Sequence, residues 1–271
     1  MDMRQAISKN DVVSQPVSYL RDRLVVSQLF LENRVTYVQS HHDRILLGGA
    51  ALRNGAVSLE VPENFGSDTL LERREMGLAC LDGTVEVRVD GAEFNLHSED
   101  ILYIGQGRKE ISITGSGNIY FSSSVCHKSN PTELIRKNDA ETIVIGDKLH
   151  SNERTLRKYI HDNGVASSTM AMGITTIHEG SVWNTMPCHI HERRTEAYLY
   201  FNLSENEKVV HLMGEYKNTR NIILGNEEAI ISPAWSIHTG AGTTNYKFVW
   251  STAGENVTYT DFVPVPTSTL Q

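Results

Sequence analysis

The segment from Met186 to Phe201 carries two histidines two positions apart, His189 and His191, and a glutamate, Glu196, five positions after the second. Its residues favour extended backbone, in which side chains at i and i+2 leave the same face, so both imidazoles project together. Glu196 follows by an odd step and would face the other way along an unbroken strand. A bend or bulge near Arg193 and Arg194 must therefore return its carboxylate to the histidines, at the start of a strand from Ala197 to Phe201. His238, five positions after Pro233, offers a further nitrogen. Three neutral imidazoles and one carboxylate suit zinc, manganese, iron or nickel. The competing reading is two ordinary hydrogen-bonded histidines and a Glu196–Arg194 ion pair.

The neighbouring residues divide by strand parity. Cys188, adjacent to His189, points to the other face and is expected as a buried free thiol, not a ligand. Tyr198 shares the Glu196 face by its two-residue step, whereas the other aromatics of the strand read as core. Arg193 and Arg194 could clamp a carboxylate bidentately, or form structural ion pairs with acids such as Glu192. His41, His42, His178 and His211 have no ligand spacing to the cluster, although the run from His41 to Arg44 could reach the mouth of a barrel.

Strands must position these groups. From Val35 onward, β-rich segments such as 44–47, 57–61, 77–81 and 84–89 are separated by turn signals including Asp82-Gly83 and Asp90-Gly91. Short strands at this spacing indicate an all-β sandwich or barrel. A short helix is expected after Pro16, on an N-terminal arm packed on the body. The β texture lapses over a polar piece from Asn130 to Asp139, where a helix could form, and resumes at Thr142, which places a boundary between residues 1–135 and 136–271.

The two parts read as a repeat. Leu71 to Met76 echoes His191 to Glu196, and Glu99 to Gly105 echoes Glu227 to Pro233. Superposed, His189, His191, Glu196 and His238 fall on Thr69, Leu71, Met76 and about Glu110, so the first copy lacks the ligands. One half would then carry the site, and the other would serve packing, subunit contacts or the wall of the site.

Composition narrows the function classes. With 271 residues, 39% hydrophobic and 21% charged, the chain can bury an ample core without a metal or disulfide staple. No apolar run reaches the length of a membrane span, and the first residues lack a signal-peptide core. Three irregularly spaced cysteines, 80, 126 and 188, fit a reducing cytoplasm. A formal charge of -8 argues against nucleic acid as a partner, and an anionic ligand would need local arginines.

At these residues the chain resembles the cupin superfamily, whose motifs contain His-x-His with a glutamate after four further residues, and proline followed by histidine after four residues. The strings from Gly180 to His189 and from Ile231 to His238 are similar to the 5-keto-4-deoxyuronate isomerase family of pectin breakdown. So are Met1 to Ala6, Asp43-Arg44-Ile45, Leu71 to Glu75, Glu153-Arg154-Thr155 and Gly254-Glu255-Asn256. The chain departs from that family at Thr195, where methionine is frequent, and in the tail after Tyr259. The resemblance implies a tandem cupin with short peripheral helices, zinc on His189, His191, Glu196 and His238, and a homohexamer. It further implies conversion of 5-dehydro-4-deoxy-D-glucuronate to 3-deoxy-D-glycero-2,5-hexodiulosonate, with the metal stabilising an enediolate. Alternatives are isomerisation of a related uronate such as 5-deoxyglucuronate, an iron dioxygenase, and a sugar-binding bicupin without turnover. The base stays open between Glu196, a hydroxide on the metal and a residue of the first half. Arg193, Arg194 and Arg220 are the candidates for the substrate carboxylate.

Overall fold

The computed structural model describes residues 1–255 and 258–271, so Asn256, part of one string quoted above, lies outside the described residues. The β-branched and aromatic segments form strands, as their propensity requires. Among the described residues the only α-helices are Lys9–Ser14 and Val17–Leu24, and neither is long and apolar enough to cross a membrane. The hairpin joining Thr84–Val89 to Ala92–His97 turns at Asp90 and Gly91, both at positive φ, as the Asp-Gly signal demands.

One large sheet runs in the order Asp2–Arg4, Thr36–Ser40, Leu46–Ser58, Ile111–Val125, Arg74–Cys80, Ile101–Ile104 and Glu133–Ile135, with the hairpin attached to Ile111–Val125. Its two longest strands shift register between Leu52 and Gly55, which curves the sheet around an apolar interior that includes Leu46, Met76, Leu78, Val87 and Phe121. The polar stretch from Asn130 contributes the short strand Glu133–Ile135 instead of a helix, because its backbone pairs with Ile101–Ile104.

A second large sheet runs Glu141–Ile145, Arg154–Ile160, Met172–Ile177, Lys247–Gly254, Arg194–Phe201, Ala229–Ser232 and Val25–Val26. A four-stranded sheet of Trp183–Asn184, Ile237–Gly242, Val209–Glu215 and Asn218–Leu224 belongs to the same half. Tyr198, Tyr200, Met213, Ile222 and Phe248 pack together in its core. The N-terminal arm joins this half: Leu20 and Leu24 enter its core, and Val25–Val26 pairs with Ala229 and Ile230.

The alternate side chains of these sheets hold the halves together. Ala197, Leu199 and Phe201, pointing away from Tyr198 and Tyr200, pack with Ala79, Ile101, Tyr103 and Tyr120 in one buried cluster. At Gly77 a Cβ would lie 2.3 Å from Met172 Sδ, so the two halves pack closely there and a larger residue would displace that side chain. The fold is all-β with two barrel-like halves, the tandem architecture expected of a bicupin.

Register gives the repeat a physical form. Glu196 pairs with Ser232 on one side and Thr252 on the other, while Met76 pairs with Ile104 and Ser123 at the matching place in the first half. Leu71 and Met76 are fully buried in the first apolar core, while Glu110 is exposed at the surface. Apolar packing fills the first half where the second presents polar groups.

Candidate metal centre

Three structural elements deliver the four side chains. His189–Ile190 is a two-residue strand paired with Val263–Pro264, and the His189 and His191 ring centroids lie 4.8 Å apart. The chain then bends at Glu192 and Arg193, close to the expected place. The next strand begins at Arg194, earlier than the expected Ala197, because Arg194 and Thr195 find partners in Gly254 and Ala253. Gly254 permits this approach: its φ is +150°, and a Cβ there would lie 2.5 Å from the Arg193 carbonyl. His238 arrives from the other sheet, opposite Met213.

The four ligand-type atoms lie within 4.8 Å of one another. His191 Nε2 is 2.7 Å from Glu196 Oε2, His238 Nε2 is 3.4 Å from the same oxygen, and His189 Nε2 is 3.1 Å from His238 Nε2. A tetrahedral ion with metal–nitrogen bonds of about 2.0–2.1 Å separates its donors by about 3.3 Å, the scale seen here. His191 Nδ1 donates to the Asp261 carbonyl at 2.8 Å, and His238 Nδ1 donates to the Ser236 carbonyl at 3.3 Å. A carbonyl can only accept, so these contacts place the protons on Nδ1 and leave both Nε2 lone pairs facing the cluster. Lone pairs and a carboxylate directed at one another repel, whereas a divalent cation between them makes the arrangement attractive. The donor set therefore fits a transition-metal ion.

Electrostatics agree with neutral ligands. Burial pushes His189 down to about 2, helped by His238 and His191, and pushes His238 down to about 4 against the opposing pull of Glu196. Burial works to raise Glu196, but His238, His191 and Arg194 outweigh it and hold the carboxyl at about 2.

The cluster opens into a cavity of about 360 Å³, whose wall includes Arg154, Thr185, Tyr198, Trp250, Tyr259 and Phe262. Tyr198 stands where parity placed it, with its hydroxyl 3.0 Å from Thr185 Oγ1. Burial holds the Tyr198 hydroxyl far above the usual range and pushes Tyr259 up to about 12, so both stay protonated at neutral pH. A larger groove of about 620 Å³ beside Arg21, Lys208 and Glu228 contains none of the four cluster residues.

The expected arginines divide. Arg193 is exposed and pairs with Glu255 at 3.0 Å, not with Glu192. Arg194 lines the cavity and donates to the carbonyls of Thr258 and Tyr259, fixing the segment above it. Arg220 binds the carbonyls of Val12 and Gln15 and anchors the N-terminal arm away from the cavity. Arg154, absent from the candidates named for the substrate carboxylate, lies on the cavity wall. The available signal was an arginine two residues before Leu156, on the face that an alternating strand turns inward.

Three of the other histidines have hydrogen-bond partners outside the cluster. His178 contacts Thr155 and Glu153, His211 contacts the Tyr200 hydroxyl, and His42 accepts from the Ile7 amide. Cys188 is a buried free thiol packed near Ile237 and Val265. The His41–Arg44 run does reach the site: Asp43 accepts hydrogen bonds from the amide and hydroxyl of Thr195, at 2.7 and 2.6 Å, immediately before Glu196.

Residues 24–267 match the model of the KduI/IolB family. The chain is 41% identical over 275 residues to the 4-deoxy-L-threo-5-hexosulose-uronate ketol-isomerase of Bacillus subtilis, covering 100% of both chains. It is 38% identical over 268 residues to the protein of that name from Pectobacterium carotovorum, covering 96% of each. An IolB-like protein of Salmonella typhimurium shares the fold at a TM-score of 0.71 and 13% identity, with 89% of this chain and 96% of that one covered. The oxalate decarboxylase of Lactobacillus farciminis shares it at 0.59 and 11%, with 82% and 79% covered. Family match and full-length identity together establish that the chain belongs to the KduI/IolB family.

Proposed function

We propose that this chain is a metal-dependent ketol-isomerase of uronate breakdown, converting 5-dehydro-4-deoxy-D-glucuronate to 3-deoxy-D-glycero-2,5-hexodiulosonate. One observation carries the reading: a three-histidine, one-glutamate cluster opens into a cavity in a chain with full-length identity to named ketol-isomerases. His189, His191, Glu196 and His238 would hold the ion, which we take to be zinc. When bound, it supplies Lewis-acid stabilisation of negative charge developing on the sugar oxygens.

The chain's own groups do the rest. The carbonyls of Asp261 and Ser236 hold the His191 and His238 rings in the tautomer with Nε2 free. The protonated hydroxyls of Tyr198 and Tyr259 can donate to substrate oxygens. Phe248, Trp250 and Phe262 contribute apolar wall, which lowers the local dielectric and strengthens each polar contact.

Residues 1–135 and 136–271 form the proposed division of labour, the first without ligands and the second with them. The proposed assembly is a homohexamer acting in the cytoplasm. Exposed apolar residues support association of copies: Val144, Leu149, Phe262 and Val263 are exposed, and Phe262 also lines the cavity.

His189→Ala tests the metal assignment. Tightly bound metal and turnover should both be lost while cooperative unfolding persists, because each half has its own apolar core. Full metal retention in this variant would contradict the assignment.

A further inference from the structure

The inference concerns the cavity wall and rests on the reading of the substrate as a uronate. Arg154 begins the strand Arg154–Ile160, and it lines the cavity together with Leu156, two residues on. Its Nη1 donates to the Asn152 carbonyl at 2.7 Å. Asn152 is held in turn by its own side chain, which donates to the Met186 carbonyl at 3.0 Å and accepts from the Asp147 amide at 3.0 Å. Among the described residues Arg154 has no carboxylate partner, and it is hydrogen-bonded to none of the four cluster residues.

This is an unusual position for a guanidinium. A half-buried guanidinium with no carboxylate bonded to it is suited to take an anionic ligand. Glu196 also lines this cavity, but its carboxylate is held by His191 and His238, and no hydrogen bond or ion pair joins it to Arg154. The other arginines considered are engaged elsewhere: Arg193 with Glu255, Arg194 with two carbonyls over the cavity, and Arg220 with the N-terminal arm. A 5-keto uronate carries an aldehyde at C1, which would meet the cluster, and a carboxylate at C6, which would meet a planar cation on the same cavity wall.

We propose that Arg154 is the specificity-determining residue that binds the substrate carboxylate, its free N–H groups pairing with the two carboxylate oxygens while Asn152 fixes its orientation. The pair sets which sugars enter: a uronate is held at both ends, and a neutral keto sugar only at the cluster.

The test uses the metal-loaded full chain with two substrates, the uronate and its C6 alcohol, in which a hydroxymethyl group replaces the carboxylate. In the wild type the alcohol should show a KM about 100-fold higher, the scale of one lost charge-assisted pair. Arg154→Met should raise the KM for the uronate about 100-fold, leave that for the alcohol within about threefold, and keep bound metal and unfolding temperature unchanged. Arg154→Lys, which keeps the charge but not the fork, should recover part of the difference. Equal KM values for the two substrates in the wild type overturn the proposal without any variant. An unchanged uronate KM in a folded Arg154→Met protein overturns it as well, while leaving the isomerase reading intact. Absence of turnover by the wild type overturns that reading, and this proposal with it.

Discussion

Asp43, in the first half, accepts two hydrogen bonds from Thr195, the residue immediately before Glu196 in the second. The two bonds fix the backbone from which the Glu196 carboxylate projects, so the half without ligands helps to aim one. Asp43→Ala should weaken metal binding by about 10-fold or more, as the loss of an outer-shell orienting group does, and cost about 2 kcal/mol of stability. Competition with a metal chelator and chemical denaturation measure the two effects. An unaltered metal affinity would assign Asp43 to stability alone.

A reciprocal contact runs the other way. Glu75, at the place in its strand that Thr195 occupies in the second half, accepts from the amides of Ser168, Thr169 and Met170 at 2.7, 2.7 and 3.0 Å, and from the Tyr103 hydroxyl at 2.7 Å. Glu75→Ala strands several buried donors at the contact between halves. It should destabilise the chain by about 3 kcal/mol or more while leaving the metal stoichiometry unchanged. A melting temperature equal to that of the wild type would show the latch to be dispensable.

The buried histidines set an acid limit for the metal-free chain. His238 sits at about 4 when folded against about 6.5 for an unfolded histidine, and Glu196 at about 2 against about 4.5 unfolded. Both folded values are depressed, so between folded and unfolded values the unfolded chain binds more protons and stability rises with pH. Stability should therefore be lost as pH falls below about 6.5 through His189 and His238, and further below about 4.5 through Glu196. The His238 share is of order 3 kcal/mol when fully developed. Urea titrations of metal-free protein from pH 7 to 4 check this, and a midpoint independent of pH across that window would contradict it.

Much of the site was legible because strand parity is rigid. Two-residue steps placed His189 beside His191 and Tyr198 beside Glu196, and the odd step to Glu196 demanded the bend seen at Glu192 and Arg193. The echo at Leu71 to Met76 located the apolar half because register repeats with sequence. What escaped depends on long-range pairing. Arg194 joins the strand because Gly254 lies opposite, and the arm packs on the second half because Leu20 and Leu24 find its core. Strand parity puts Arg154 on the face of Leu156, but that this face lines the cavity depends on the pairing of distant strands.

Turnover tests the central claim most directly. Metal-loaded protein is mixed with 5-dehydro-4-deoxy-D-glucuronate, and the aldehyde-hydrate proton at C1 is followed by NMR. Isomerisation removes that signal as the C2 ketone forms, and His189→Ala leaves it in place. Persistence of the C1 signal with the metal-loaded wild-type chain would contradict assignment of this cluster to a uronate ketol-isomerase.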